Sequence, residues 1–269
     1  MKFFSPAKIN LFLRVLYRRE DRFHEIFSLM QAISLGDTLT FEESEREILT
    51  CSHPQLSHGE ANYVTRSLRL FQKKTGYSRP LSIHVDKQTP IEGGLGGGSS
   101  NVATTLWALN KLSNFGVKEE RLREWAGTIS SDAPFFFSSG TAFAMGRGEN
   151  IRSLTPSAPR MVWLASPEGK GGLPTSLVYT HCRSGATATF RPMSDRGLLL
   201  NDLEPAAFKL RPDLAQLKKE LVELGFESVT MTGSGATFFC FGDIHPCLPG
   251  VQFSRVSFLS RSCDWYRLK

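Results

Sequence analysis

No stretch of this 269-residue sequence approaches the roughly 20 consecutive apolar residues that a membrane-spanning helix needs. The apolar start, Met1-Lys2-Phe3-Phe4, is interrupted by Lys8, Asn10 and Arg14, so it is no secretory h-region. Cysteine is scarce: Cys51, Cys182, Cys240, Cys247 and Cys263 make an odd set with no Cys-x-x-Cys pair. That argues against a disulfide framework and a structural zinc site, and leaves buried free thiols as the expectation. There is no internal repeat, no low-complexity segment and no Lys/Arg-rich arm. The net charge of +6, from 32 basic and 26 acidic residues spread along the chain, suits phosphorylated metabolites as well as nucleic acid, and a dedicated nucleic-acid patch is not indicated. A cytoplasmic globular protein is expected, long enough for one large α/β domain or two domains sharing a cleft.

Several nucleotide-binding signatures are also missing. There is no Gly-x4-Gly-Lys-[Ser/Thr], no Gly-x-Gly-x-x-Gly, and neither His-Arg-Asp nor Asp-Phe-Gly, which excludes a P-loop enzyme and a protein kinase and disfavours a dinucleotide-binding turn. What is present is Pro90-Ile91-Glu92-Gly93-Gly94-Leu95-Gly96-Gly97-Gly98-Ser99-Ser100, five glycines between a strand and a helix that opens on two serines. Glycine lets backbone N–H groups approach a ligand without a Cβ clash, and successive N–H groups form an anion-binding concavity. The following helix adds its positive dipole end and unpaired N–H groups. The loop therefore reads as a phosphate cradle; a flexible linker would not be embedded between two amphipathic elements.

Elsewhere, residues 3–17 and 26–41 are rich in β-formers, with Gly36-Asp37 read as a turn. Helices are predicted over 61–75, from about 99 to 114, and over 118–129, 174–180 and 213–224; strands over 81–86, 161–165, 229–232 and 237–241. Ser131-Asp132-Ala133-Pro134 reads as a loop followed by an aromatic, strand-like segment to Gly140. The Pro/Ser-rich stretch Pro156 to Pro159 is the candidate boundary, dividing the chain into 1–155 and 156–269. The mixed element order argues for an α+β fold.

Pro90 to Asn101 resembles the Pro-x-x-x-Gly-Leu-Gly-Gly-Gly-Ser-Ser-Asn loop found in one branch of the GHMP kinases, the diphosphocytidyl-methylerythritol kinases. Ser5-Pro6-Ala7-Lys8-Ile9-Asn10-Leu11-Phe12-Leu13, Asp21-Arg22-Phe23-His24-Glu25, Ser131-Asp132-Ala133-Pro134-Phe135-Phe136, Asn201-Asp202-Leu203-Glu204 and Met231-Thr232-Gly233-Ser234-Gly235-Ala236 are similar to further motifs of that branch, in the same order. The resemblance implies a two-domain α+β GHMP kinase fold with the site in the cleft, ATP with accompanying Mg²⁺, and a cytidine diphosphate-linked polyol as acceptor.

It also implies roles. Asp132, whose bland reading is a turn or cap residue, becomes the base that accepts the substrate hydroxyl proton. Lys8, otherwise a strand residue facing solvent, becomes its partner and stabilises charge on the reacting oxygens. The loop from Pro90 to Asn101 would hold ATP, with Asn62 on the adenine side or simply capping a helix. Phe23 and His24 fall where the family recognises cytosine; the family segment has Tyr where this chain has Phe23, which keeps stacking and loses a hydroxyl. Tyr179 would cover the other face of the base, Thr175 would sit near the Lys8–Asp132 pair, Asn10 would touch substrate, and Gly233 and Gly235 would bring N–H groups to its diphosphate or form a bare hairpin turn. No protein metal-ligand set stands out, although Ser99 or Ser100 can contribute to Mg²⁺. The partners are then small molecules, with no nucleic acid and no membrane, for a monomer or weak dimer. The open alternatives are a GHMP kinase for another alcohol, such as mevalonate or homoserine, and a non-catalytic nucleic-acid-binding relative of the fold.

Overall fold

The computed structural model describes all residues except 55, 57, 58, 170, 183–198, 268 and 269. Two long strands, β1 (Lys2–Arg18) and β2 (His24–Glu43), form an antiparallel ribbon at the centre of a seven-stranded sheet. β2 does not turn at Gly36-Asp37. It runs through them, and the register shifts between Pro6 and Ala7 absorb the extra residues. A side chain at Gly36 would lie 2.4 Å from the Ser5 carbonyl oxygen, so this glycine serves a close backbone approach within the sheet. The strand β4 (Leu81–Asp86) pairs with one half of β2, and β3 (Ile48–Cys51) pairs with β4. The hairpin β5 (Thr141–Gly146) and β6 (Asn150–Ser153), which the sequence patterns did not reveal, pairs with the other half of β2.

The helices α1 (Tyr63–Thr75), α2 (Gly97–Ser113) and α3 (Glu119–Ile129) cover this sheet. Val64, Leu68, Phe71, Leu106 and Leu109 bury their faces against Leu39, Phe41 and Ile83. Asn62 caps α1 by accepting from the Val64 N–H at 2.8 Å, and Gly76 ends it at φ +75°. The aromatic run after Asp132 is not a strand: Ala133–Phe137 is one buried 3₁₀ turn opened by Pro134. It is apolar throughout because it is enclosed on all sides, which leaves no periodicity to read.

A second, four-stranded sheet comprises β7 (Met161–Pro167), then β9 (Ser228–Met231), β10 (Phe238–Phe241) and β11 (Val251–Ser257), all antiparallel, in the order β11-β7-β10-β9. Helices α4 (Thr175–His181), α5 (Glu204–Leu210) and α6 (Pro212–Glu223) belong to this half, while β8 (Leu200–Asn201) crosses to pair with β1. Between the sheets lies a third core of Ala7, Ile9, Ile33, Leu164, Phe239 and Phe241. Leu95 of the glycine loop is buried within it. Burying a leucine contributes about 1.5–3 kcal/mol, so the loop is anchored at its middle.

After β11 the chain returns to the first half. Leu259 N–H donates to the Ala32 carbonyl, Arg261 makes a paired contact with Glu119 at 2.7 and 2.8 Å, and Trp265 stacks on Trp107 at 5.2 Å with its Nε1 donating to Thr104. Trp265 is fully buried there. The five cysteines are free; Cys240 is buried, with its thiol pushed up to about 12 by that burial, but Cys247 and Cys263 are exposed, contrary to the expectation of buried thiols. Among the described residues no helix is long and apolar enough to cross a membrane.

Candidate active site

A cavity of about 1120 Å³ lies between the glycine loop, β1 and the turn joining β9 to β10. Alternation along β1 explains what faces it: Ala7 and Ile9 enter the core between the sheets, while Lys8 and Asn10, one residue out of phase, line the cavity. The residues Pro90 to Ser99 and Asn101 form another wall, and Gly96 caps α2 with no side-chain hydrogen bond. The N–H groups of the first helical turn are thus left for an anion. The loop cannot carry side chains. A Cβ on Gly94 (φ +76°) would lie 2.0 Å from the Thr232 carbonyl oxygen, and one on Gly96 (φ +67°) would lie 2.9 Å from Lys8 Cε.

Lys8 is 3% exposed, not a solvent-facing strand residue. Its Nζ donates to Asn10 Oδ1 at 2.5 Å and sits 3.4 Å from Asp132 Oδ2. Asp132 precedes the 3₁₀ turn but makes no side-chain capping bond, so its carboxylate faces the cavity. Thr232 Oγ1 accepts from the Asn10 N–H at 3.0 Å and donates to the Gly94 carbonyl at 3.3 Å, which joins β1, the glycine loop and the β9–β10 turn through one hydroxyl. Asn201 fixes that turn by donating to the carbonyls of Met231 and Gly233. Glu204 accepts from the Met231 N–H, and Asp202 pairs with Arg14 at 3.0 Å. The Asn-Asp-Leu-Glu motif therefore braces the site.

Beneath the cradle, Asp37 is fully buried and accepts from the N–H groups of Gln88 and Thr89, from Asn101 Nδ2 and from Lys87, whose Nζ is 2.9 Å away. Burial holds the Lys87 ammonium below its ordinary pKa, against the opposing pull of Asp37. Lys87 lines the cavity. Among the lining residues Lys8, Arg18, Arg22, Lys87 and Arg147 face only Glu92 and Asp132, a balance that draws polyanions.

At the other end, the rings of His24 and Tyr179 stack at 5.3 Å. Burial, and then Arg18, lowers the His24 pKa; burial, then the charges of Asp132 and Cys182, raises that of Tyr179. Phe23 lies on the rim, 52% exposed, with the Arg147 guanidinium 4.9 Å from its ring centroid. It is therefore His24, rather than Phe23, that faces Tyr179. Arg22 adopts φ +68°, in the left-handed region. Thr175 shares a 3.0 Å hydrogen bond with Ser234.

The cavity wall brings together all the residues singled out from the sequence except Ser100 and Gly235. Ser100 is fully buried, with its hydroxyl sharing a 2.8 Å hydrogen bond with that of Ser5, and a Cβ on Gly235 would lie 2.6 Å from the Met231 sulfur. Asn62 reaches the cavity but commits Oδ1 to capping α1.

Comparison with known proteins agrees with this geometry. The model of the GHMP kinases N terminal domain matches residues 62–140, and that of the GHMP kinases C terminal domain matches residues 182–243. A 4-diphosphocytidyl-2-C-methyl-D-erythritol kinase of Protochlamydia amoebophila is 44% identical over 274 residues, 99% of this chain and 93% of the relative. The chain belongs to the 4-diphosphocytidyl-2-C-methyl-D-erythritol kinases. The chloroplastic enzyme of Arabidopsis thaliana is 37% identical, with 99% of this chain and 76% of the relative covered. A crystal structure of a 4-(cytidine 5'-diphospho)-2C-methyl-D-erythritol kinase superposes with a TM-score of 0.78 at 30% identity, covering 96% and 99% of the two chains. The mevalonate kinase of Methanococcus jannaschii, at 13% identity and a TM-score of 0.69 with 96% and 98% covered, shares the fold.

The two-domain α+β GHMP kinase fold and its use of ATP stand on these matches. For the nucleotide, the side-chain-free loop and the open first turn of α2 fit a triphosphate. For a metal, no group of three or more His, Cys, Asp or Glu side chains converges among the described residues. Sequence reasoning missed Lys87, Asp37, Thr232, Arg18 and Arg147. Only the Met231-Thr232 motif carried a signal for any of them.

Proposed function

We propose that this kinase transfers the γ-phosphoryl group of ATP to the 2-hydroxyl of 4-diphosphocytidyl-2-C-methyl-D-erythritol, a step of the non-mevalonate route to isopentenyl diphosphate. The observation that carries this reading is the Lys8–Asp132 pair at 3.4 Å, lining one cavity with the glycine cradle and the His24–Tyr179 pair. In this reading the loop from Pro90 to Asn101 binds the triphosphate, and Asn62 borders the adenine. His24, Tyr179 and Phe23 hold the cytosine, by a hydrogen bond and by stacking. Gly233, Ser234 and Thr175 border the diphosphate and the polyol. Asp132 accepts the hydroxyl proton as the new P–O bond forms and the β–γ bridge breaks to release ADP. Lys8 stabilises the negative charge shared among the transferring oxygens.

Mg²⁺ would accompany ATP and offset its charge, with Ser99 as the wall hydroxyl that could contribute to holding it and Ser100 turned away to Ser5. A division near residue 155 leaves the cradle in the first part and completes the substrate side with the second. We read the enzyme as cytoplasmic, a monomer or weak dimer, with small-molecule partners and no nucleic acid. The test is ADP release from Mg-ATP with the cytidyl compound offered beside mevalonate, homoserine and galactose. Release with the cytidyl compound alone supports the reading. Release only with another alcohol removes the cytosine site, and no release with any of them removes the reading.

A further inference from the structure

A lysine ammonium only donates hydrogen bonds, whereas an asparagine amide is a donor at one end and an acceptor at the other. The 2.5 Å contact between Lys8 and Asn10 is favourable only with Oδ1 toward the ammonium. Turned over, the amide would set two donors against each other. The surroundings of Asn10 decide its orientation. Its Nδ2 donates to Ser28 Oγ at 2.8 Å, and Ser28 donates its single hydroxyl proton to the Phe12 carbonyl at 2.6 Å. A carbonyl can only accept, so that proton is committed and Ser28 can only accept from Asn10. The polarity runs one way, from Lys8 through Asn10 and Ser28 to the Phe12 carbonyl.

Bulk water cannot replace these bonds: Lys8 is 3% exposed, Asn10 1% and Ser28 0%. The backbone at Asn10 is held separately, by its N–H bond to Thr232. The register shift between Asn10 and Phe12 places Asn10 opposite Met30 and Ser28 opposite Leu13, and bulges of this kind re-aim side chains beside active sites.

We propose that Ser28 is a positioning residue for phosphoryl transfer. It orients the Asn10 amide so that the oxygen holds Lys8 against Asp132. This rests on the kinase reading above.

The test compares Ser28→Ala, Ser28→Thr and Ser28→Val, with Ser28→Ala also made in an Asn10→Ala background. The readouts are kcat, the KM of each substrate and the melting temperature. Ala and Val are expected to lower kcat about tenfold, with the ATP KM within about twofold of wild type. Thr, which has the shape of Val but keeps the hydroxyl, is expected to restore kcat. In the Asn10→Ala background, Ser28→Ala is expected to add no further loss. Equal kcat for Val and Thr would overturn the proposal, as would a full further loss in the Asn10→Ala background. Should both branched variants fail to fold, the Ala cycle decides alone. A wild-type enzyme that turns over no cytidyl acceptor overturns the kinase reading itself, whereas wild-type turnover with an unaffected Ser28→Ala enzyme overturns only this inference.

Discussion

Replacing Gly96 with alanine perturbs the fold and the chemistry through two separable effects. The first is backbone strain: Gly96 has φ +67°, and an L-residue in that region costs about 1–2 kcal/mol. The second is steric. The new Cβ would lie 2.9 Å from Lys8 Cε and 3.0 Å from Lys8 Cγ. Unstrained carbon contacts are about 3.5–4.0 Å, so the lysine stem must yield by roughly 0.6–1.1 Å. That displacement carries Nζ away from Asn10 and Asp132, and a misplacement of about 1 Å can cost about 100-fold in rate. Gly116 is the matched control, with φ +65° and nothing within 4 Å of an added Cβ. Both alanine variants are expected to melt about 2–8 °C lower. Only Gly96→Ala is expected to lose about 100-fold in kcat, a barrier increase of about 2.7 kcal/mol. Melting curves and ADP release, measured side by side, decide it. A Gly96→Ala enzyme with the kinetics of Gly116→Ala would refute the contact argument.

Three further outcomes follow from the site and the core. Asp132→Asn should lower turnover by about 10²–10⁴-fold while ATP still binds by calorimetry; lost ATP affinity would place Asp132 in the cradle instead. Burial first and Arg18 second lower the His24 pKa, so the folded state favours the neutral imidazole. The stability contribution of this group is present above the ordinary value of 6.5 and is lost as pH falls through the lowered pKa. The KM for the cytidyl substrate should rise in the same window while the ATP KM stays level, and a flat cytidyl KM over about pH 5–8 would count against a role for His24. Trp265→Ala should cost about 3–5 kcal/mol and lower the melting temperature by roughly 6–20 °C; a shift under about 2 °C would mean that the Trp107 stack contributes little.

Local signals in the sequence carried the cradle and every described helix except α5, which no predicted segment covers. Asn62 and Gly76 bound α1 as capping chemistry requires, and the glycine run precedes α2, although the helix begins at Gly97 rather than near Ser99. Lys8 and Asp132 were legible only through family resemblance, because a buried lysine in an apolar strand has no local mark. Gly36-Asp37 carried the composition of a turn, yet Asp37 is held within β2 by Lys87, Gln88, Thr89 and Asn101, which lie 50 to 64 positions away in sequence. The Phe135–Phe137 run has the apolar content of a buried strand, and only tertiary enclosure makes it a 3₁₀ turn. Ser28 had no motif at all; its importance comes from which atom donates to which.

The contact between Trp265 and Thr104 spans 161 residues of sequence. At about 5–20 residues per second of synthesis, roughly 8–32 s separate the two partners on the ribosome. The first half of the molecule can assemble its sheet and helices in that interval, but the slot beside Trp107 and Phe137 stays open until the returning segment arrives. Each new molecule therefore passes through a stage with an indole-sized apolar opening on a nearly finished half, a surface on which a chaperone or a neighbouring nascent chain can compete with Trp265.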